Sequence, residues 1–530
     1  MRLSPDPLYP SRRSPVLAEN VVAASQPLAA QAGLSMLAQG GNAVDAALAT
    51  AIALTVLEPT GNGIGSDAFC ILWDGSALHG LNASGRSPMA WRPDRFAGRA
   101  AMPFRGWEAV TVPGAVSAWV ALSARFGRLP FEALFAPAVR YAESGYAVTP
   151  AIAALWAKAA PELAGQPGFA ETFLPGGRPP RAGERFACPA MAATLREIAE
   201  TRGESFYRGR LAARIAAAAR AGGAALVAAD LEAHTADWVE PIAQDFDGVT
   251  LREIPPNGQG IVACMALGVL AHTPIRDLAP DDPLALHLQI EAVKLALRDA
   301  EAYVADPAHM TEVMAAHLLD PDYLARRARL IDLDRATDFG AGAPRHGGTV
   351  CLAAADASGM MVSYIQSNYA GFGSGVVVPG TGVSLQNRGA GFTPAPGHPN
   401  GAGPGKRPFH TIIPGFLMQG DAPLAAFGVM GGSIQAQGHA QISLRMELWG
   451  QDPQTAADAP RWRVGDGLSV AVEPTIAPET RAALAAMGHG VSTDGPDAAF
   501  GFGGAQIVRR LGAGYAAGSD PRKDGCAVGF

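Results

Sequence analysis

GGTVCLAAADASGMMVSYIQS, residues 347–367, decides how the chain is read. Two apolar runs, TVCLAAAD and MMVSYIQS, flank Ala357-Ser358-Gly359, the pattern of a β-hairpin. The first run opens on Thr349, behind Gly347 and Gly348. A threonine suits a strand start simply because it is β-branched. The glycine pair adds something else: it frees the backbone and leaves the Gly348 carbonyl uncrowded for attack. A hydroxyl beside such a bond can cut it. The chain that then begins at Thr349 carries its own base, because its new α-amino group can activate the hydroxyl of the same residue.

The 530 residues, 48% of them hydrophobic, can bury a large core. A formal charge of −7, from 41 basic and 48 acidic residues spread along the chain, leaves no basic stripe, so nucleic acid is not an expected partner. The start, MRLSPDPLYPSRRSPVLAEN, lacks the apolar run of about seven to fifteen residues that a secretory signal needs. Five separated cysteines (Cys70, Cys188, Cys264, Cys351, Cys526) with no CxxC pair fit reduced thiols in the cytoplasm. The longest apolar stretch, AVDAALATAIALTVL at 43–57, falls short of the roughly 20 residues of a membrane span and contains Asp45. It reads as a core helix, and no membrane partner is expected.

Upstream, QPLAAQAGLSMLAQGG predicts a helix closed by Gly40 and Gly41, with Asn42 capping a second helix and Asp45 in its first turn. The glycine-rich PTGNGIGSDAF, 59–69, precedes a strand-like FCILWDG. From Val112 to Leu226 the pattern is helical and alanine-rich, broken by PGGRPPRAGE at 175–184. The amphipathic LALHLQIEAVKLALRDAEAYVADP ends at Asp306-Pro307. Strands dominate after Thr349. This order predicts an α+β protein with mixed layers around a shared core.

Several stretches in order along the chain resemble the γ-glutamyltransferase family of N-terminal-nucleophile hydrolases. They are GGNAVDAA (40–47), TVPGAVSAWVALSARFGRLPFEALFAPAVRYAESGYAV (111–148), IPPNGQGIVACMALGVL (254–270), HLQIEAVKLALRDAEAYVADP (287–307), TVCLAAADASG (349–359), GFGSGVVVPGTGVSLQN (371–387), GPGKRP (403–408), MGGSIQAQGHAQ (430–441) and SDPRKDGCAVGF (519–530). The resemblance implies a four-layered αββα sandwich and a proenzyme cut between Gly348 and Thr349. A 1–348 chain and a 349–530 chain then stay together as one structural domain. It implies no metal and no organic cofactor, and leaves open whether the processed pair forms a homodimer. Arg86, in NASGRSP, matches the arginine that binds the substrate carboxylate. Gly431 and Gly432 match the pair whose backbone amides form the oxyanion hole. Ser367 falls where the family has a threonine that positions the nucleophile, Tyr369 falls near a substrate-binding asparagine, and Val350 replaces a second threonine.

Departures from the family bear on the substrate. Its γ-glutamyl members hold the substrate ammonium with an acid in a stretch like NNQMDDF. Here the chain reads LQNRGAGF, with Gly391 in place of the aspartate and Arg388 in place of the glutamine. A pocket holding Arg86 and Arg388 without that acid favours a carboxylate and disfavours an α-ammonium. An unpaired buried ammonium beside an arginine costs several kcal/mol, roughly a hundredfold in affinity. The serine pair that follows KRP in the transferases is His410-Thr411, at the pocket wall, with His410 read either as a donor to substrate or as a structural residue. TPAPGHPNGAGPG, after Phe392, is short where lidded members carry an insertion, so hydrolysis is expected over transfer.

The sequence therefore points to a self-processing threonine amidohydrolase acting on a small carboxylated amide through an acyl-enzyme. γ-Glutamyl, oxamate and glutaryl amides compete as substrates, and Gly391 separates them. The alternative of another class is a binding protein that keeps the fold and never cleaves itself. No HExxH, G-x-S-x-G, GxxxxGK[ST] or complete GxGxxG is present.

Overall fold

The computed structural model describes residue 3 and residues 12–340, 348–493 and 501–530. Gly347 lies outside the described residues, as do most of the first eleven. The hairpin forms as read: Gly348–Ala355 pairs antiparallel with Met361–Tyr369. It stands in the middle of a seven-stranded antiparallel sheet. The order is Cys526–Gly529, Val21–Ala24, Gly348–Ala355, Met361–Tyr369, Asp67–Trp73, Leu78–Asn82 and Asp237–Val239. A second seven-stranded antiparallel sheet runs Val16–Ala18, Tyr515–Ser519, Gly504–Arg510, Ala422–Met430, Gly415–Gln419, Val249–Glu253 and Ile242–Phe246.

Side-chain alternation shows how the layers stack. In the strand Gly348–Ala355, Val350, Leu352 and Ala354 pack into a core shared with the helices Pro27–Ala38 and Ala43–Leu57. Cys351, Ala353 and Ala355 point the other way and meet Ala426, Met430 and Val508 of the second sheet. That sheet's opposite face, with Ala425, Phe427, Val429 and Ile507, is covered by the helices Gly260–Leu270, Pro283–Tyr303 and Ile434–Ser443. The result is helix, sheet, sheet, helix. The central strands are buried on both faces, which is why they read as nearly continuous apolar runs, whereas edge strands such as Ile242–Phe246 stay partly exposed.

Local signals hold up as well. Asn42 and Asp45 form a capping box, and every residue of Ala43–Leu57 is buried. Asp45 also accepts from the backbone N–H groups of Arg128 and Leu129, so one acid caps a helix and fastens a later loop to it. The five cysteines are all free. Among the described residues no helix is long and apolar enough to cross a membrane.

Phe427 sits fully buried at the interface of the second sheet and its helices. Phe427→Ala is expected to lower the unfolding free energy by about 3–5 kcal/mol, read as a lower midpoint in chemical denaturation at unchanged slope.

Candidate active site

Thr349 lies on the face of its strand that looks toward the second sheet, and its side chain is fully buried. The pairing with Met361–Tyr369 shifts by one residue here, so Ser367 and Asn368 together stand opposite Thr349. The hydroxyl of Thr349 donates to Ser367 Oγ at 3.1 Å, and Ser367 Oγ also accepts the N–H of Tyr369 at 2.8 Å. From the second sheet's side, Gln435 Nε2 donates to Thr349 Oγ1 at 3.3 Å. Glycine-rich residues 59–66 wrap the same spot: a Cβ on Gly61 would stand 3.1 Å from the Thr349 carbonyl oxygen. The two residues that the sequence pairs as nucleophile and orienter are therefore in contact.

Gly431 and Gly432 close the strand Ala422–Met430 and lead into the helix Ile434–Ser443. Their φ values, 123° and 74°, lie in the region that side chains avoid, so the turn requires glycine at both positions. Gln259 Nε2 holds this turn by donating to the Gly432 carbonyl at 2.9 Å and also to the Thr411 carbonyl. A turn of this kind at a helix N-terminus presents N–H groups to an anion.

Arg388 is buried, with its Nη1 donating to Thr411 Oγ1 at 2.9 Å and its guanidinium lying 4.8 Å from the Tyr369 ring centre. Its Nε and Nη2 have no hydrogen-bond partner among the described residues. Burial pulls its pKa down to about 10, while Asp67 opposes the shift. Tyr369, with φ 76°, and Thr411 line a cleft of about 560 Å³ together with Phe104, Gly391, Phe392 and Phe409. Gly391 is pressed against the chain across the cleft. A Cβ there would fall 2.5 Å from the Phe409 carbonyl oxygen, so an aspartate cannot enter without moving residues 408 and 409.

His410 is buried, with both ring nitrogens engaged by the protein. Its Nδ1 accepts from the Ile412 N–H at 3.4 Å, which leaves the proton on Nε2, 3.1 Å from Asp67 Oδ2. Burial and the charge of Arg388 hold its pKa well below the usual range, so the ring is neutral. It braces Asp67. Arg86 stands apart: its side chain is 45% exposed, donates to Asp306 at 3.1 Å and lies 3.8 Å from Asp237.

Asp67, Gln435 and Gln259 escaped the sequence reading. Asp67 lies directly across from Ser367 in the sheet and accepts the N–H groups of Gly85 and Gly114 at 3.2 and 3.0 Å. Burial lifts its pKa to about 7, against the pull of Arg388 and those backbone donors. Only its place after a glycine-rich stretch hinted at a role. His287, Glu291 and His489 have metal-like spacing elsewhere in the fold. There, however, the ammonium of buried Lys294 already stands 2.8 Å from Glu291, where a cation would sit.

A family model described as Gamma-glutamyltranspeptidase matches residues 29–530. The chain is 37% identical over 532 residues to the oxamate amidohydrolase proenzyme of Klebsiella pneumoniae subsp. pneumoniae, covering 98% of this chain and 99% of that one. It is 34% identical to the glutathione hydrolase-like YwrD proenzyme of Bacillus subtilis, covering 98% and 100%. Among solved structures, a cephalosporin acylase from Bacillus halodurans superposes with a TM-score of 0.95 at 47% identity, over 99% of this chain and 98% of that one.

Because the fold raises the pKa of Asp67, its protonated form contributes stability that is fully present below about pH 4 and is lost as pH climbs to about 7. Asparagine at this position does not titrate. The melting temperature of the wild type is therefore expected to fall relative to that of Asp67→Asn between about pH 5 and about pH 8. A constant difference across that window would contradict the assignment.

Proposed function

The chain belongs to the gamma-glutamyltranspeptidase family and is an enzyme acting on a carbon–nitrogen bond, and from that premise we propose a self-processing threonine amidohydrolase. Its substrate is a small amide that carries a carboxylate and no α-ammonium, of the oxamate or glutaryl type. The observation that carries the substrate class is Arg388. A buried guanidinium with two unpartnered nitrogens is costly to leave as it is. Nε and Nη2 form one edge of the guanidinium fork, and a carboxylate accepts from such an edge through both of its oxygens. Arg388 touches Tyr369 and Thr411, which line the cleft, so a substrate in the cleft stands beside the guanidinium's own neighbours. Arg86 matches the family position for the same task but is half exposed and paired with Asp306. Arg388 is thereby the main anchor.

Two reactions use one hydroxyl. In maturation, Thr349 Oγ attacks the Gly348 carbonyl, the peptide shifts to an ester, and water releases chains 1–348 and 349–530. In turnover, Oγ attacks the amide carbon, its proton passes to the free α-amino group, and that proton leaves with the amine or ammonia. Ser367 orients Oγ, and the Gly431 and Gly432 amides receive the oxyanion. Water then resolves the acyl-enzyme. Hydrolysis dominates because TPAPGHPNGAGPG provides no long cover over the site. Five free cysteines support a cytoplasmic setting.

The intact mass under denaturing conditions tests maturation: wild type is expected as two chains meeting at Gly348 and Thr349, and Thr349→Ala as one. One chain in both, after long incubation, would leave the binding-protein reading in front. On the mature enzyme, oxamate and a glutaryl amide are expected to turn over faster than glutathione. Arg388→Met is expected to raise KM for the preferred substrate by about a hundredfold or more. Glutathione as the best substrate, or an unchanged KM, would remove the carboxylate assignment.

A further inference from the structure

We propose that Gln435 is a further catalytic residue, whose side-chain amide donates to the nucleophile's Oγ and stabilises it as the acyl-enzyme breaks. The inference rests on Thr349 being the nucleophile. Its warrant is geometric. Gln435 is fully buried, its Oε1 accepts the N–H of Ile413 at 3.2 Å, and its Nε2 lies 3.3 Å from Thr349 Oγ1. The Ile413 bond fixes which end of the amide is which: the oxygen must face the N–H, so the donor must face the threonine. Gln435 is also the second residue of the helix Ile434–Ser443, and its own N–H donates to the Gly432 carbonyl at 3.2 Å. The side chain is thereby tied to the turn that carries the oxyanion donors.

The chemistry that needs such a donor is deacylation. Water adds to the ester carbon and gives a proton to the α-amino group of Thr349. The tetrahedral intermediate then collapses, the C–Oγ bond breaks with its electron pair going to Oγ, and Oγ recovers the proton from the α-ammonium. Negative charge gathers on Oγ at that moment, and one Nε2–H already points at it. The second Nε2–H has no acceptor among the described residues and can follow the carbonyl oxygen, one bond further on. A glutamine here thus assists both ends of the collapsing intermediate, beside the backbone donors of Gly431 and Gly432.

The test uses Gln435→Met and Gln435→Glu in the full chain, with oxamate or glutaryl-p-nitroanilide, whichever the wild type hydrolyses. Mature Gln435→Met is expected to lose about ten- to a hundredfold in kcat, with KM lowered in parallel. It should also show an acyl adduct on the 349–530 chain by intact mass under turnover. Gln435→Glu keeps the acceptor for Ile413 and is expected to be active only at acid pH, where the carboxyl still carries a proton to donate. This profile is available even if the methionine variant does not mature, and a merely structural role would not produce it. A mature methionine variant within twofold of wild type and without adduct overturns the inference, as does a glutamate variant with the wild-type pH profile. A wild type that neither cleaves nor forms an adduct instead overturns the parent reading.

Discussion

A carboxylate buried between two loops and a sheet holds this site in place. Asp67 sits on the strand Asp67–Trp73 opposite Ser367, and it gathers the N–H groups of Gly85 and Gly114 and the Nε2–H of His410. Three donors converge on one side chain from three distant parts of the chain. A buried acid held this way fixes the register of everything attached to it. Ser367 inherits its position through the strand pairing, and Thr349 inherits its orientation through Ser367. The same charge opposes that of Arg388, whose own burial would otherwise be uncompensated. Thr349 and Arg388, the proposed nucleophile and the proposed carboxylate anchor, thus both take their setting from a residue that touches neither reacting atom.

The second constraint is the depth of the hairpin in the fold. The strand that opens on Thr349 is third of seven, bonded to Met361–Tyr369 on one side and to Val21–Ala24 on the other. In the proposed maturation, cutting before Thr349 therefore leaves residues 352–355 held along both edges and residues 350–351 held along one. The new amino terminus stays beside the hydroxyl it must serve. A nucleophile at a sheet edge or on a loop would gain freedom on cleavage and lose the geometry that proximity provides. The four-layer stack supplies this rigidity, because both faces of the strand are packed, one against helices and one against the other sheet.

Much of this was legible in the chain, and the remainder was not for identifiable reasons. The hairpin, the capped helices and the core helix 43–57 depend on neighbours within a few residues, so local pattern reveals them. Thr349 and Ser367 share one hairpin, and their spacing carries over directly into a contact. The layering came from the family resemblance and not from local pattern, since doubly buried strands lose the alternation that reports a face. Asp67, Gln259 and Gln435 were invisible for a different reason: each acts on residues between 18 and 343 positions away. His410 admits two roles from its sequence neighbours, and the fold engages both its nitrogens internally. Arg86 carries the family's motif but lies with Asp306, a partner 220 positions along the chain that local sequence cannot reveal.

The proposed substrate choice draws on two independent features, one in the cleft wall and one behind it. Absence of an acid at position 391 alone would be a weak argument, since another carboxylate could reach in from elsewhere. Here, though, the backbone of Phe409 fills the space where the side chain would begin, so no residue larger than glycine fits that point of the wall. Behind that wall Arg388 is buried against the Tyr369 ring and Thr411, both of which line the cleft, with its Nε and Nη2 unpartnered among the described residues. In the proposed function a carboxylate reaches the buried Arg388 past Tyr369 and Thr411 of the cleft wall, and Glu301 is the acid that lines the same cleft. Under the proposed substrate class, sterics keep an acid from position 391, and the charge of Arg388 favours a carboxylate over an α-ammonium. The two act on different atoms, so reversing one leaves the other in force.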